Sequence, residues 1–380
     1  MGLTRFDAGP RPCRRPAYMT SPSNPRMRMR VLFPSVLSVL LALSSPLVAA
    51  ATTMPEGAYF QHHDWVVACD NTRTCRAAGY ASGENSTLSV LLTRDGGPQQ
   101  PVRGEMSLRP IDGQQSPKGA LHLRIKQRDL GMLTPAKEEG MYTLNPAQTT
   151  ALLSALVRDG GITVIDAGGH AWPLSDKGAA AALLKADDFQ GRVGTVGALM
   201  RKGPAAESSV PAALPKPVIH KASMQFPLPD NRAFAKLATS PALRAALRAT
   251  LKEPSCEGLL DADRDTPLKN PPLGIQRLDG RHLLVSVRCW DAAYNTGDGY
   301  WVIREQAPYR AAWVTSDATS YGNGEIIASQ SDRSEPSCRS EQSWTWDGTR
   351  FVATSATESV FCRHALDGTW QLPMQVTDVQ

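Results

Sequence analysis

Asp261, Asp263 and Asp265 alternate along one stretch of the chain. Carboxylates spaced this way in a loop can turn several oxygens onto a hard cation such as Ca²⁺. A complete EF-hand loop also needs glycine at its sixth position and glutamate at its twelfth, where this chain has Thr266 and Pro272. The stretch therefore reads as a solvated acidic turn, with calcium the one cofactor it would take. Asp291, Asn295 and Asp298, set among Gly297 and Gly299, read as turn chemistry. His62 and His63 stand together before Asp64 and have the chemistry of a relay or a ligand pair. Neighbours on a strand point to opposite faces, so the two imidazoles are expected to diverge. Asp187 and Asp188 are likewise expected to diverge on a helix. Trp344 and Trp346 share a strand face and offer a platform for a sugar or an apolar partner, although aromatic rings of this kind also build cores. Arg244, Arg248 and Lys252 line one helix face and read as a solvated face.

The sequence lacks several catalytic signatures: the His-Glu-x-x-His metal helix, the Gly-x-Ser-x-Gly elbow, the phosphate loop and the dinucleotide fingerprint. Gly191, Gly194 and Gly197 recur every third residue, a spacing for turns or close packing rather than for a phosphate. The expected role is a non-catalytic binding or structural module of the cell envelope, with an envelope protein or polysaccharide as partner. Two alternatives stand beside it. One is a cell-wall hydrolase whose carboxylate pair is assembled only by the fold. The other is an inhibitor of the lysozyme type.

Of seven cysteines, Cys13 lies in a distinctive leading segment. Residues 31–43 are apolar and uncharged, Arg26, Arg28 and Arg30 precede them, and Val48-Ala49-Ala50 follows. This is the pattern of a secretory signal cut after Ala50 or Ala51. Pro34, Ser35, Ser38 and Pro46 interrupt the run, which favours cleavage over a stable membrane span. The chain carries a formal charge of +5, but seven arginines and one acid fall in the first 51 positions. The remainder holds 34 basic and 35 acidic residues, which excludes a nucleic-acid binder working by bulk charge. The expected location is the periplasm. In an oxidising compartment the other six cysteines read as a disulfide framework, and the expected pairing is Cys69–Cys75, Cys256–Cys289 and Cys338–Cys362. No Cys-x-x-Cys is present to suggest zinc.

The expected fold class is α+β, with two β-rich domains that hold a few helices and are joined by a proline-rich linker. After the leader (1–51), the first domain spans 52–200. Short strand patterns occupy most of its early part, and helices are expected at 146–158 and 175–186. Asn145, Pro146 and Gln148 form a capping box for the first helix, and Ser175 is the expected cap of the second. Six prolines make 201–230 an extended linker. The second domain, 231–380, opens with a helix capped by Ser240 and continues as antiparallel β-structure. Asp279-Gly280, Asp347-Gly348 and Asp367-Gly368 mark hairpins with tight turns. Leu283, Val285, Val287 and Cys289 share the inward face of one strand.

The run Asp64-Trp65-Val66-Val67-Ala68-Cys69-Asp70-Asn71-Thr72-Arg73-Thr74-Cys75-Arg76 resembles the opening of an exported Gram-negative family known as domain of unknown function 1176. Residues 89–94, 183–192, Cys289-Trp290 with Ala293-Tyr294-Asn295, and residues 344–348 carry the resemblance across the chain. The first half is also similar to the invasion-associated locus B family. These resemblances imply a β-rich envelope module and transfer no catalytic residue.

Overall fold

The computed structural model describes residues 56–81, 87–110, 116–158, 160–224, 234–251, 256–259, 268, 271–331, 339–359 and 370–380. The leader, the Asp261, Asp263 and Asp265 stretch, the Cys338 and Cys362 pair and the Asp367-Gly368 turn lie outside the described residues.

In the first half, the strands are β1 (Ala58–His62), β2 (Trp65–Cys69), β3 (Cys75–Tyr80), β4 (Ser89–Arg94), β5 (Val102–Ser107), β6 (His122–Ile125), β7 (Arg128–Met132), β8 (Thr134–Pro135) and β9 (Met141–Leu144). Helix α1 (Pro146–Leu156), strands β10 (Ile162–Ile165) and β11 (Ala171–Leu174), and helix α2 (Ala179–Phe189) complete it. Seven strands form an antiparallel sheet in the order β1-β2-β3-β4-β5-β9-β8, and four form a second in the order β11-β10-β6-β7. Strand β2, with the sequence WVVAC, is buried at every position. A strand that does not alternate must be covered on both faces. Trp65, Val67 and Cys69 face α1, α2 and the second sheet, where Leu152, Leu183 and Leu123 are buried beside them. Each such side chain contributes about 1.5–3 kcal/mol by leaving water. Gly79 is obligatory beneath the Trp65 ring, since a Cβ there would come within 2.3 Å of Cζ2.

Asn145 and Gln148 form the reciprocal cap of α1, Asn145 Oδ1 accepting from the Gln148 N–H at 2.9 Å. The second helix departs from expectation. It begins at Ala179, not at Ser175, and runs on to Phe189. The Ser175 hydroxyl donates instead to Asp64 Oδ2 at 2.6 Å. Gly178, at φ 96°, makes the turn into the helix against the His62 carbonyl, where a Cβ would have no room.

The described part of the proline-rich segment contains a single 3₁₀ turn at Glu207–Ser209 and lies against both halves. The Arg73 guanidinium donates to the Ala212 carbonyl at 2.6 Å, and the Leu214 N–H donates to the Thr72 carbonyl at 3.2 Å. Strand β12 (Val218–Ile219) follows, and the Ala222 N–H donates to the Trp346 carbonyl at 2.9 Å.

The second half comprises α3 (Ala235–Ala238), α4 (Pro241–Arg248), β13 (Gly274–Arg277), β14 (Leu283–Asp291), β15 (Thr296–Ile303), β16 (Ala312–Ala318), β17 (Ser320–Gly322), β18 (Glu325–Ser331), β19 (Arg339–Trp346), β20 (Phe351–Ser359), β21 (Gln371–Gln375) and β22 (Asp378–Val379). Strands β13 to β16 form one sheet, β17 to β21 another, and β22 pairs in parallel with β12. Leu283, Val285, Val287 and Cys289 face α4, where Leu243 and Leu247 are fully buried. Leu284, Tyr300 and Val302 face the other sheet and meet Ile326, Trp346 and Phe351. The half is thus a sandwich with a helical layer on one side.

The hairpins at Asp279-Gly280 and Asp347-Gly348 are present, but their loops are longer than two residues. Arg277 pairs with Leu283, and Trp346 with Phe351. In each, the aspartate side chain takes backbone N–H groups from the loop, Arg281 and His282 in one and Thr349 and Arg350 in the other. That satisfies donors a two-residue turn would have paired across strands.

Residues 53–380 form one compact unit. The halves expected as domains keep separate main cores but share a third. Val66, Ala68, Ala78, Tyr80 and Leu91 on the outer face of the seven-stranded sheet are covered by Trp370 and Leu372. The Trp370 indole donates to Ser89 Oγ at 3.0 Å. Asn71 exchanges two hydrogen bonds with the Val376 backbone, at 3.0 and 2.8 Å.

Candidate functional site

Two clusters pair arginine with carboxylates. The first joins α2 to the loop after it. Arg192 is wholly buried. Its Nε donates to Gln190 Oε1 at 2.9 Å and its Nη1 to Glu207 Oε2 at 2.8 Å, while Nη2 donates to the Gly97 and Asp95 carbonyls. Burial lowers its pKa from the usual guanidinium value, and the Glu207 charge opposes that shift. Arg94 is lowered to about 10, first by burial and then by the Arg192 charge. Burial pushes the Asp187 carboxyl upward against the N–H groups of Leu199 and Met200, which its Oδ2 accepts at 2.8 Å each. Glu207 sits below the ordinary carboxylate range. Burial raises it, but bonds from Thr195 and the Gln99 N–H, together with the Arg192 charge, outweigh that. Groups so perturbed attract a catalytic reading. Here their hydrogen bonds run to the chain's own backbone and to one another. The cluster folds residues 191–207 into a fixed loop.

The second cluster borders a cleft of about 420 Å³ between α3 and the β13–β14 edge. Phe234, Ala238, Leu273, Ile275 and Val287 supply an apolar wall, and Ser286, Arg288 and Asp298 the polar side. Its position follows from strand lengths. β13 begins at Gly274, opposite Ser286, so β14 continues past it without a β13 partner. Arg288 stands in that overhang, directly across from Asp298 on β15. Its Nε donates to Asp298 Oδ1 at 2.6 Å and its Nη1 to Asp291 Oδ1 at 2.7 Å. These bonds, Asp291 first, raise the Arg288 pKa. The side chain is 35% exposed, and its Nη2 donors meet no acceptor among the described residues. The adjacent Cys289 is bridged to Cys256, which fixes the strand at this point. On the opposite wall, the Arg277 guanidinium lies 5.4 Å above the Phe234 ring and holds it in place. An apolar cleft with a few convergent polar groups is the usual form of a ligand site.

The residues singled out in the sequence fall elsewhere or take other roles. Trp346 is 1% exposed and packs against Phe351 and His282, while Trp344 is half-buried against the same core, so the pair is not an open platform. Sheet-on-sheet packing claims that strand face. Asp187 is buried and Asp188 exposed beside Lys185, so the two do diverge. Arg244 does not face solvent alone: it donates to the Gly258 carbonyl at 3.2 Å and to the Pro271 carbonyl, tying α4 to the cleft's rim. Asp291 and Asp298, read as turn residues, are strand residues that hold Arg288, and Asn295 bonds the backbone of Ser331. Cys69–Cys75 and Cys256–Cys289 are both bridged. Cys69 and Cys75 are directly opposed across the β2–β3 hairpin. No group of three or more metal-ligating side chains occurs among the described residues. No helix among them is long and apolar enough to cross a membrane.

No curated protein and no solved structure matches this chain. Strands β2 to β21, the two bridges and the buried Gln190 and Arg192 all fall within residues 59–377, the span matched by the family described as Protein of unknown function (DUF1176), and the chain belongs to that family.

Proposed function

We propose that this protein is a non-catalytic binding module of the cell envelope, exported to the periplasm through a cleaved leader, and that its ligand occupies the cleft beside Arg288. The observation that carries this reading is the guanidinium itself. Two carboxylates hold it in one orientation, a disulfide fixes its strand, and donors remain on it beside an apolar wall. Such a site suits an amide-bearing fragment of the envelope, a peptide or an N-acetylated saccharide. The amide carbonyl would accept from Arg288, its N–H would donate to Asp298, and its apolar substituent would lie on Phe234 and Leu273. The hydrolase reading needs a general acid, a carboxyl raised by its surroundings. Among the described residues Asp187 has such a carboxyl, raised by burial, and it is sealed in the other half.

Calorimetric titration with soluble cell-wall fragments, with product analysis of the same mixtures, tests the proposal. Saturable binding without turnover is expected, lost in Ala238→Trp, which fills the cleft, and in Arg288→Gln. Released product would overturn the non-catalytic role. Binding unaffected by either substitution would overturn the cleft as its seat.

A further inference from the structure

The tip of the β1–β2 hairpin carries two imidazoles that the binding cleft does not use. His62 pairs with Trp65, so His63 and Asp64 alone make the turn. His63 adopts φ 50°, in the left-handed region, and this takes its side chain out of the strand's alternation. The two rings are brought together, with centres 4.3 Å apart and planes inclined at 59°. The expectation that adjacent histidines diverge holds for two strand residues, and here the second is not one.

The turn is held from beneath. The Asp64 N–H donates to the Lys177 carbonyl at 3.1 Å, and the Ser175 hydroxyl donates to Asp64 Oδ2 at 2.6 Å. Gly178 packs against the His62 carbonyl with no space for a side chain. Phe60 stacks against the far side of His62, ring centres 6.2 Å apart. Both histidines are exposed, and neither ring nitrogen is hydrogen-bonded to a described residue.

The ring separation carries geometric information. With metal–nitrogen bonds of about 2.0–2.1 Å, two imidazoles bound cis at a right angle hold their centres roughly 4.5 Å apart, and at the tetrahedral angle roughly 5.2 Å. A separation of 4.3 Å matches the right angle once one nitrogen of each ring turns toward a common point. Tetragonal nitrogen sites are the preference of Cu(II), which also heads the affinity order for divalent first-row ions. We infer that His62 and His63 form a surface site for Cu(II), taken up through one nitrogen of each ring, with water in the remaining positions.

Titration of the tag-free chain with Cu(II) in a non-coordinating buffer, followed by calorimetry and electron paramagnetic resonance, tests this. One equivalent should bind in the micromolar range with hyperfine splitting from two imidazole nitrogens. His62→Gln and His63→Asn should each remove one nitrogen and weaken binding about tenfold or more. Asparagine is chosen at 63 because it tolerates positive φ. His122→Gln should bind as the parent does. Unchanged affinity in the His62→Gln, His63→Asn double variant at an unchanged melting temperature would overturn the site. So would the absence of micromolar binding to the parent.

Discussion

Arg192 and Arg288 are the same residue type, each bonded to carboxylates, and they have opposite consequences. Every nitrogen of Arg192 donates inward, to Gln190, Glu207 and the carbonyls at 95 and 97, and the side chain itself has no exposure. Arg288 donates to two carboxylates, and its Nη2 donors meet no acceptor among the described residues, at the lip of a cleft. Burial lowers the pKa of Arg192, whereas the bonds to Asp291 and Asp298 raise that of Arg288. The first shift comes from the exclusion of water, and complete exclusion also leaves no space for a ligand. The guanidinium shifted by burial belongs to architecture, and the site candidate is the one whose charge its carboxylate partners reinforce.

Substitution at the two positions should separate them sharply. Arg192→Ala leaves Glu207 buried without its counter-charge and strips Gln190 and Gly97 of a donor, so urea denaturation should show a loss of about 3–5 kcal/mol. A smaller loss, close to that of a surface change, would break the comparison. Next comes Glu207→Gln. The folded protein holds the Glu207 carboxyl below its ordinary range. Its stabilising contribution is therefore complete above the pKa of an unfolded glutamate and is lost as pH falls through the folded value. Melting temperature measured against pH should decline in acid for the parent and decline less steeply for the variant. Asp187, raised by burial, contributes with the opposite sign and blunts the acid decline equally in parent and variant. The smallest effect belongs to Arg288→Ala, which should change stability by less than about 1 kcal/mol, because both its partners are reached by water.

Local chemistry was readable in advance and long-range chemistry was not. The Asn145–Gln148 cap and the Ser240 cap lie within three residues of what they bond, and their spacing announces them. The continuous apolar run of β2 discloses a strand covered on both faces. The start of α2 was misplaced because Ser175 satisfied the general rule for a cap while its hydroxyl was engaged by Asp64, 111 positions earlier. Arg192 is marked by no motif or spacing. Its burial depends on Gly97 and Glu207, and nothing in its neighbours' types reports that. The cleft draws Phe234, Leu273, Arg288 and Asp298 from separate segments, and only the late start of β13, which leaves the end of β14 uncovered, brings them to one place. A signal was nonetheless present: the alternation that puts Leu283, Val285 and Val287 inward also places Ser286 and Arg288 on the opposite face, together with the Asp298 that pairs across from Arg288.

The docking of Trp370 and Leu372 onto Val66, Ala68 and Leu91 sets an order of events during synthesis. A ribosome delivers β2 to β4 some 280 positions before the residues that cover them. Until those residues emerge, one side of the seven-stranded sheet presents an unprotected hydrophobic surface, and neither half can reach its final state ahead of the other. Premature termination just short of position 370 would therefore do more than shorten the last sheet: it would leave the earliest-made part of the molecule sticky and prone to associate.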